Sequence, residues 1–159
     1  MSPAEKVLLI PKIENGFVID HIPTGTGIRI LNLVRQHREL DTVVITLGLH
    51  CTSRRLGRKD LIKIQAAELP RRFLQHLSLV SPGVTVKRVR DFRVAEKVVL
   101  EAPELIDDLL GCPNPNCITN HERGSGTCFH LVDRETRTFR CNYCERHFGQ
   151  AELGTTLKF

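Results

Sequence analysis

The sequence contains no tryptophan, one tyrosine and one methionine among its 159 residues. It therefore offers few of the exposed aromatic rings that a nucleic-acid-binding module is expected to present. It also lacks an apolar run near the roughly 20 residues that span a bilayer, and its first residues have neither the basic start nor the apolar core of a signal peptide. These absences argue against membrane and secreted proteins, and we expect a cytoplasmic one.

Basic side chains outnumber acidic ones, 23 to 18, but the excess is unevenly distributed. Residues 1–100 contain 17 basic and 9 acidic groups, a net charge of +8, whereas residues 101–159 contain 6 and 9, a net charge of −3. Phosphates and other anions should therefore prefer the N-terminal part. The length and this division predict two small domains, which we place at residues 1–101 and 102–159.

The cysteines provide the strongest local signal. Five of the six lie within 33 residues, and four of these form two close pairs, Cys112 with Cys117 and Cys141 with Cys144. Two tight turns of paired thiolates, here separated by 23 residues, provide the four ligands that a tetrahedral Zn²⁺ ion needs. Other candidate ligands belong to no close pair, and we expect them to be packing or surface residues: Cys128, His121, His130 and His147.

Four thiolates close the coordination sphere, so the predicted zinc ion is structural rather than catalytic. About sixty residues make a small core, and metal binding on the order of 10–16 kcal/mol would then decide whether this domain folds. Disulfides are the weaker alternative, because a cytosolic chain keeps its thiols reduced.

The hydrophobic pattern of the N-terminal part alternates between strand and helix periodicity. It predicts two helices, at 28–40 and 69–77, and a strand beginning at 7–10 followed by strands at 17–19, 43–47, 58–65, 84–89 and 92–100. This β-α-β-β-α-β order with an additional hairpin predicts an α+β, ferredoxin-like βαββαβ domain.

The C-terminal part is predicted to be a small β-rich zinc domain with four cysteine ligands. Pro103 interrupts the chain, and residues 104–110 have the composition of a short acidic linker helix. Strands at 129–132 and 138–140 enclose a polar turn.

Two short motifs of the N-terminal part have a possible functional interpretation. Residues 24–27 (TGTG) precede a helix and can offer backbone N–H groups to a phosphate. They lack the ending of a P-loop, and a plain turn with Thr as the helix cap is the interpretation that we favour. Asp20 and His21 are adjacent on a strand, so we expect them to point to opposite faces and not to form an acid–base pair.

The strand at 58–65 places Lys59, Leu61 and Lys63 on one face. Two lysines on one face near Asp20 or His21 can hold a triphosphate. A solvated edge strand is an equally good interpretation of the same pattern.

Four motifs together closely resemble the regulatory chain family of aspartate carbamoyltransferase, in order and spacing over nearly the whole chain: VIDHIP at 18–23, GRKDLIKI at 57–64, CPNPNCI at 112–118 and CNYCE at 141–145. The resemblance implies a non-catalytic regulatory subunit of pyrimidine biosynthesis, inhibited by CTP and UTP and activated by ATP. It also implies regulatory homodimers that join catalytic trimers in a dodecamer of six catalytic and six regulatory chains.

The resemblance further implies site residues by position. The nucleotide would contact Ile13, on the strand against the base, and Val18, Asp20, His21, Lys59, Lys63, Lys87, Phe92 and Lys97. Lys59 and Lys63 would hold the phosphates, Lys97 the ribose and phosphate, and Asp20 would contact the ribose or base. The cysteine-turn residues that would face the catalytic chain are Asn114, Asn116 and Glu145.

The sequence also departs from the family at the expected nucleotide site. Pro11 lacks a backbone N–H donor. Lys87 stands where the family commonly has asparagine, and Phe92 where it commonly has tyrosine. The additional lysine should favour triphosphates over nucleosides.

Three other classes of protein compete with this interpretation. A zinc ribbon that binds nucleic acid would need a basic zinc domain, but residues 101–159 are acidic and a Zn²⁺ ion with four thiolates adds a charge of about −2. A ferredoxin-like sensor of amino acids would respond to a different ligand. A stand-alone enzyme would need a nucleophile with a placed base or an open metal site, and the sequence suggests neither.

Overall fold

In the computed structural model of the protein, residues 9–159 are described, and they form two antiparallel sheets. The first sheet and its two helices, which we call the N-terminal unit, contain β1 (Gly16–Pro23), α1 (Gly27–Gln36), β2 (Val44–Ser53), β3 (Gly57–Gln65), α2 (Arg71–Val80), β4 (Thr85–Arg90) and β5 (Arg93–Val99). The C-terminal unit contains β6 (Leu105–Asp107), β7 (Cys128–Asp133), β8 (Thr138–Cys141), β9 (His147–Gly149) and α3 (Gln150–Leu153).

The strands of the N-terminal unit are ordered β2-β3-β1-β4-β5, and every neighbouring pair is antiparallel. The first four strands and the two helices have ferredoxin-like connectivity, and β5 adds the predicted hairpin at the edge. The predicted fold is thus confirmed. Gly16 opens β1 at φ +143°, where a side chain would collide with the carbonyl oxygen of Ile64, so this position requires glycine.

The two helices cover one face of this sheet. Their apolar sides contribute Ile30, Leu33, Phe73 and Leu77 to a core that is completed by residues of the strands and by Val84, just before β4: Phe17, Ile19, Ile22, Ile62, Ile64 and Val86 are the strand residues. Because strand residues alternate between faces, the residues between these core positions lie on the opposite, helix-free face. We call this surface the open face.

Three features differ from the predictions at the N-terminal unit. Leu9 and Ile10 form a bend instead of a strand, and the other half of that predicted strand lies outside the described residues. Ile13 is buried but lies in a loop before β1 and not on a strand. Strand β2 continues to Ser53, six residues beyond the predicted end, because its pairing with β3 resumes at Cys51 after an irregularity that follows Gly48.

The C-terminal unit contains a four-stranded sheet ordered β6-β7-β8-β9. The predicted acidic helix at 104–110 is wrong, because β6 occupies its centre and pairs with β7. Ile106 is fully buried between the exposed Leu105 and Asp107, which is the alternation of a strand.

The two units are in contact. Leu79, on α2, belongs to the core of the C-terminal unit, and Leu157 packs against both cores. The Gln150 side chain at the start of α3 donates a hydrogen bond of 2.5 Å to the carbonyl of Leu79. None of the helices within residues 9–159 is both long and apolar enough to cross a bilayer.

Candidate functional site

Four cysteine sulfurs converge at one end of the C-terminal unit. Cys112 and Cys117 lie on the loop after β6, Cys141 ends β8, and Cys144 lies on the turn before β9. All four sulfurs are within 4.8 Å of one another, with 3.7 Å between Cys112 and Cys144 and 3.9 Å between Cys117 and Cys141. A tetrahedral ion with Zn–S bonds of about 2.3 Å requires sulfurs about 3.8 Å apart. The predicted ligand set is therefore confirmed as a site that fits one zinc ion.

Burial affects the pKa values of the cysteine thiols in this cluster. Burial raises the pKa of Cys112 and of Cys141. Burial acts on Cys144 in the same direction, but hydrogen bonds from the Arg146 backbone and the Asn114 side chain outweigh it and lower the pKa to about 7. Burying several thiolates together without a positive ion is unfavourable, so a divalent metal bound by the four sulfurs would stabilise this buried cluster.

The predicted interface residues lie on the two cysteine turns. The backbone N–H of Asn116 donates to the side-chain oxygen of Asn114, at 3.1 Å, which closes the first turn. Asn114 is buried, whereas Asn116 is exposed. Glu145 is exposed on the second turn, in the left-handed region at φ +61°. The turns thus present Asn116 and Glu145 outward, with Asn114 beneath them.

The other possible ligands do not join the cluster. Among the described residues, Cys112, Cys117, Cys141 and Cys144 are the one group able to hold a metal ion. Cys128 instead lies beside His130, with 3.9 Å between its sulfur and the ring Nε2.

The open face of the N-terminal unit carries a row of three lysines across its strands. The pairing register aligns Thr46 of β2, Lys63 of β3, Val18 of β1, Lys87 of β4 and Lys97 of β5. We call Lys63, Lys87 and Lys97 the lysine row. The family resemblance predicted all three lysines in one nucleotide site. The strand register shows that the three lysines lie in one row across the sheet.

Asp20 lies next to this row and binds two ammonium groups. Its two carboxylate oxygens lie 2.5 Å from Lys59 Nζ and 2.7 Å from Lys87 Nζ. Burial alone would raise the pKa of Asp20, but the hydrogen bonds from the two lysines outweigh it and hold the pKa well below its usual range. The carboxylate is therefore charged and ties β1 to both neighbouring strands.

Lys63 is placed differently from the other lysines. Its ammonium group donates a hydrogen bond to the carbonyl oxygen of Pro11, and within residues 9–159 it forms no ion pair. Its pKa is lowered by burial and by the nearby Lys12. A buried cation without a counter-charge favours an anionic ligand.

The expectation that Asp20 and His21 point to opposite faces is wrong. Ile19 and Ile22 both belong to the core, so the two residues between them share the place opposite Leu61 in a β-bulge. His21 adopts φ +57°, and its ring Nδ1 lies 3.1 Å from the Thr85 hydroxyl. The bulge brings both side chains to the open face.

The carboxylate of Asp60 accepts the backbone hydrogen bonds of the glycine turn at residues 24–27. The backbone N–H groups of Gly25 and Gly27 both donate to Asp60 Oδ2, at 2.9 Å. Thr26 is the helix cap position but forms no side-chain cap hydrogen bond. The interpretation as a plain turn is thus correct, with Asp60 rather than Thr26 as the group that satisfies the backbone.

Asp60 is also the structural residue that sequence reasoning missed. A signal for it existed, because the alternation of β3 places Asp60 on the core face with Ile62 and Ile64. A buried carboxylate needs donors, and a glycine-rich turn supplies them.

Two expected nucleotide residues lie at the edge of the open face. Lys97 is exposed on β5, and Phe92 is 55% exposed in the β4–β5 turn at φ +62°. The backbone N–H of Phe92 donates to the carbonyl of Glu14, at 3.0 Å, which connects this turn to the loop that contains Ile13.

Comparison with known proteins assigns both units to one family. Residues 8–101 match the family model described as aspartate carbamoyltransferase regulatory chain, allosteric domain, and residues 104–153 match that of its metal binding domain. The chain belongs to the aspartate carbamoyltransferase regulatory chain family. Its membership explains why an allosteric domain and a metal-binding domain occur in one chain.

Curated relatives cover nearly the full length. Proteins named aspartate carbamoyltransferase regulatory chain are 38% identical in Pyrococcus abyssi (94% of this chain and 98% of the relative), 37% in Thermoplasma acidophilum (95% and 99%) and 39% in Methanopyrus kandleri (95% and 96%). The chain is accordingly a non-catalytic subunit with an allosteric domain and a metal-binding domain, and the prediction that it is not an enzyme is confirmed.

Proposed function

We propose that the chain binds nucleoside triphosphates on the open face of the N-terminal unit. The observation that carries this proposal is the lysine row beside Asp20, with Lys63 at one end, whose ammonium group forms no ion pair within residues 9–159. Four lysines and one carboxylate give this surface a net charge of about +3, which suits the phosphates of a triphosphate. Asp20 and His21, brought together by the bulge, are then available for the sugar or base.

CTP and UTP inhibit and ATP activates in this proposal, and all three compete for the same surface. The departures at Pro11, Lys87 and Phe92 change contacts at this site. Lys87 is already bound to Asp20, so its ammonium adds phosphate affinity only if the carboxylate shares it with the ligand.

We further propose that the C-terminal unit docks on the catalytic chain. The exposed Asn116 and Glu145 on the cysteine turns would make the contacts, with Asn114 holding the first turn in shape. Regulatory homodimers would then join catalytic trimers in a dodecamer with six chains of each kind. The proposed location of this assembly is the cytoplasm, where thiols are kept reduced.

The domain boundaries that accompany this function are residues 1–101 and 102–159. They are supported by Ala102 and Pro103, which lie between the last strand of one sheet and the first strand of the other.

Titration calorimetry on the zinc-loaded chain tests the ligand. We expect CTP, UTP and ATP to bind with a stoichiometry of one site per chain and to displace one another. The amino-acid sensor predicts the reverse, with heat from aspartate or another amino acid and none from nucleotides. Absence of any nucleotide binding at millimolar concentration would refute the proposal.

A further inference from the structure

Two buried histidines lie where the two units meet. His76, on α2, is fully buried, and His37, which follows α1, is 5% exposed. A hydrogen bond of 3.2 Å joins His37 Nε2 to His76 Nδ1. On the other side of its ring, His76 Nε2 lies 3.2 Å from the carbonyl oxygen of Leu109 in the C-terminal unit. Two successive hydrogen bonds therefore connect α1, through α2, to the C-terminal unit.

Aromatic side chains enclose the histidine pair. The ring centroid of Phe159 lies 4.9 Å from that of His76 and 5.5 Å from that of His37, and Phe73 lies 5.4 Å from His37. The backbone N–H of Lys158 donates to the same Leu109 carbonyl, at 2.9 Å. The last described residues thus close over the histidines.

The hydrogen-bond partners determine where the protons are. The Leu109 carbonyl can only accept, so His76 Nε2 carries a hydrogen. In neutral His76 the Nδ1 atom is then an acceptor, and His37 Nε2 must donate to it. One proton on the pair leaves both bonds intact: if His76 takes it at Nδ1, neutral His37 can carry its own hydrogen at Nδ1 and accept at Nε2. A second proton puts N–H groups on both facing nitrogens, His37 Nε2 and His76 Nδ1, and breaks the bond between the rings.

The charged groups around the pair disfavour protonation. The Arg72 guanidinium on α2 donates to the carbonyls of Asp108 and Lys158 beside the pair, and Lys158 is itself paired with Asp108 at 2.9 Å. Burial first, and then the charges of His37 and Arg72, lower the pKa of His76 to about 4. Glu39, after α1, acts in the opposite direction on His37, whose pKa burial also lowers.

We propose that the histidine pair is a proton-operated latch between the two units, closed while the pair carries at most one extra proton and opened when both His37 and His76 are protonated from solvent. The folded pKa of His76 lies below its ordinary value of 6.5. The latch is therefore at full strength above pH 6.5 and weakens as the pH falls toward 4. This latch does not depend on nucleotide binding.

Amide hydrogen exchange followed by NMR on the full zinc-loaded chain tests the latch. The informative amides are those of Gly111, bonded to Thr156, and Lys158, bonded to Leu109. After correction for the intrinsic rate, we expect their exchange to accelerate by about ten- to a hundred-fold per pH unit below 6.5, since up to two protons are taken up on opening. Zinc content is measured at each pH, and only samples with one ion per chain are compared.

Two variants distinguish opening of the latch from a general destabilisation of the protein at low pH. His76→Gln keeps a donor for Leu109 and an acceptor for His37 but does not titrate, so only His37 takes up a proton on opening and exchange should accelerate much less steeply than in the wild type. His147→Gln, exposed on β9, should behave as the wild type. Equal acceleration in His76→Gln and wild type, or none in the wild type between pH 6.5 and 5.5, would overturn the proposal.

A second measurement uses only the wild-type chain, so it tests the latch even if His76→Gln does not fold. Nitrogen shifts of the wild-type His76 ring at pH 7 should show a protonated Nε2 and an unprotonated Nδ1. The opposite tautomer, or a doubly protonated ring at pH 7, would equally contradict the latch.

Discussion

Asp20 organises the charges of the open face at the level of single residues. Its carboxylate holds the ammonium groups of Lys59 and Lys87, so these two lysines are partly neutralised in the free chain. Among the described residues, Lys63 is bonded only to the Pro11 carbonyl, and a carbonyl dipole compensates a cation less than a carboxylate does. Lys63 is therefore the lysine with most to gain from a bound phosphate.

Replacement of Lys63 by alanine should weaken the binding of CTP and of ATP alike. The lost contact is a charge-assisted hydrogen bond worth about 1.5–3 kcal/mol, or roughly ten- to hundred-fold in affinity. Calorimetry with both nucleotides measures the effect.

Arg123→Ala is the matched control for Lys63→Ala, because Arg123 is exposed in the C-terminal unit and its loss changes the net charge equally. It should leave both affinities within a factor of about two. Unchanged affinity of Lys63→Ala for both nucleotides would move the site away from the lysine row.

The sequence correctly predicted which face of the sheet a side chain lies on where the strand is regular, because side chains then alternate strictly between faces. The alternation of β3 correctly placed Lys59 and Lys63 on one face and Ile62 on the other. The strand period gave the wrong orientation for His21, because a β-bulge inserts one extra residue at this point. The left-handed backbone of His21 in the bulge cannot be recognised from the residue types Asp and His. The Asp20–Lys87 ion pair likewise depends on a register that local sequence does not encode.

Strand β6 shows why element type was harder to predict than fold. Acidic residues and closely spaced leucines over 104–110 favour a helix locally, but pairing with β7 buries Ile106 completely. Tertiary pairing thus overrides local preference. The ferredoxin-like unit was predictable because its long strands and helices have strong hydrophobic periodicity. The metal ligands were predictable because the spacing of the two cysteine pairs is typical of a zinc site.

Truncation of Ile106 to alanine should destabilise the metal-loaded chain by about 2–5 kcal/mol, the usual cost of such a cavity in a core. Leu105→Ala, at the neighbouring but 50% exposed position, should cost well under about 1 kcal/mol. Urea unfolding monitored in the C-terminal unit distinguishes them, and equal destabilisation by the two variants would contradict the strand.

Serine at Cys112 should release the metal and unfold the C-terminal unit, because ligand binding and folding are linked in small zinc domains. Cys128→Ser is the control, since Cys128 lies outside the sulfur cluster, and it should retain one zinc per chain. Metal analysis with circular dichroism tests both variants. Loss of zinc from Cys128→Ser together with its retention by Cys112→Ser would show that the ligand set is wrong.

Across the whole molecule, the lysine row and the cysteine cluster lie in different units, so any effect of a nucleotide on the catalytic chain must be transmitted. Contacts between the units are available for this, through Leu79 on α2 and through the histidine pair. A ligand shifts an equilibrium only by its differential affinity for the two states, and such coupling typically amounts to about 1–3 kcal/mol. ATP and CTP at one site oppose each other only if each prefers a different quaternary state.

The most direct test of this account is the aspartate saturation curve of catalytic trimers from the same source, measured with and without the zinc-loaded chain. The chain should convert a hyperbolic curve into a sigmoidal one, which CTP shifts to higher and ATP to lower aspartate concentration. Trimers that fail to bind the chain at micromolar concentration, or whose curve stays hyperbolic and insensitive to nucleotides after binding, would contradict it.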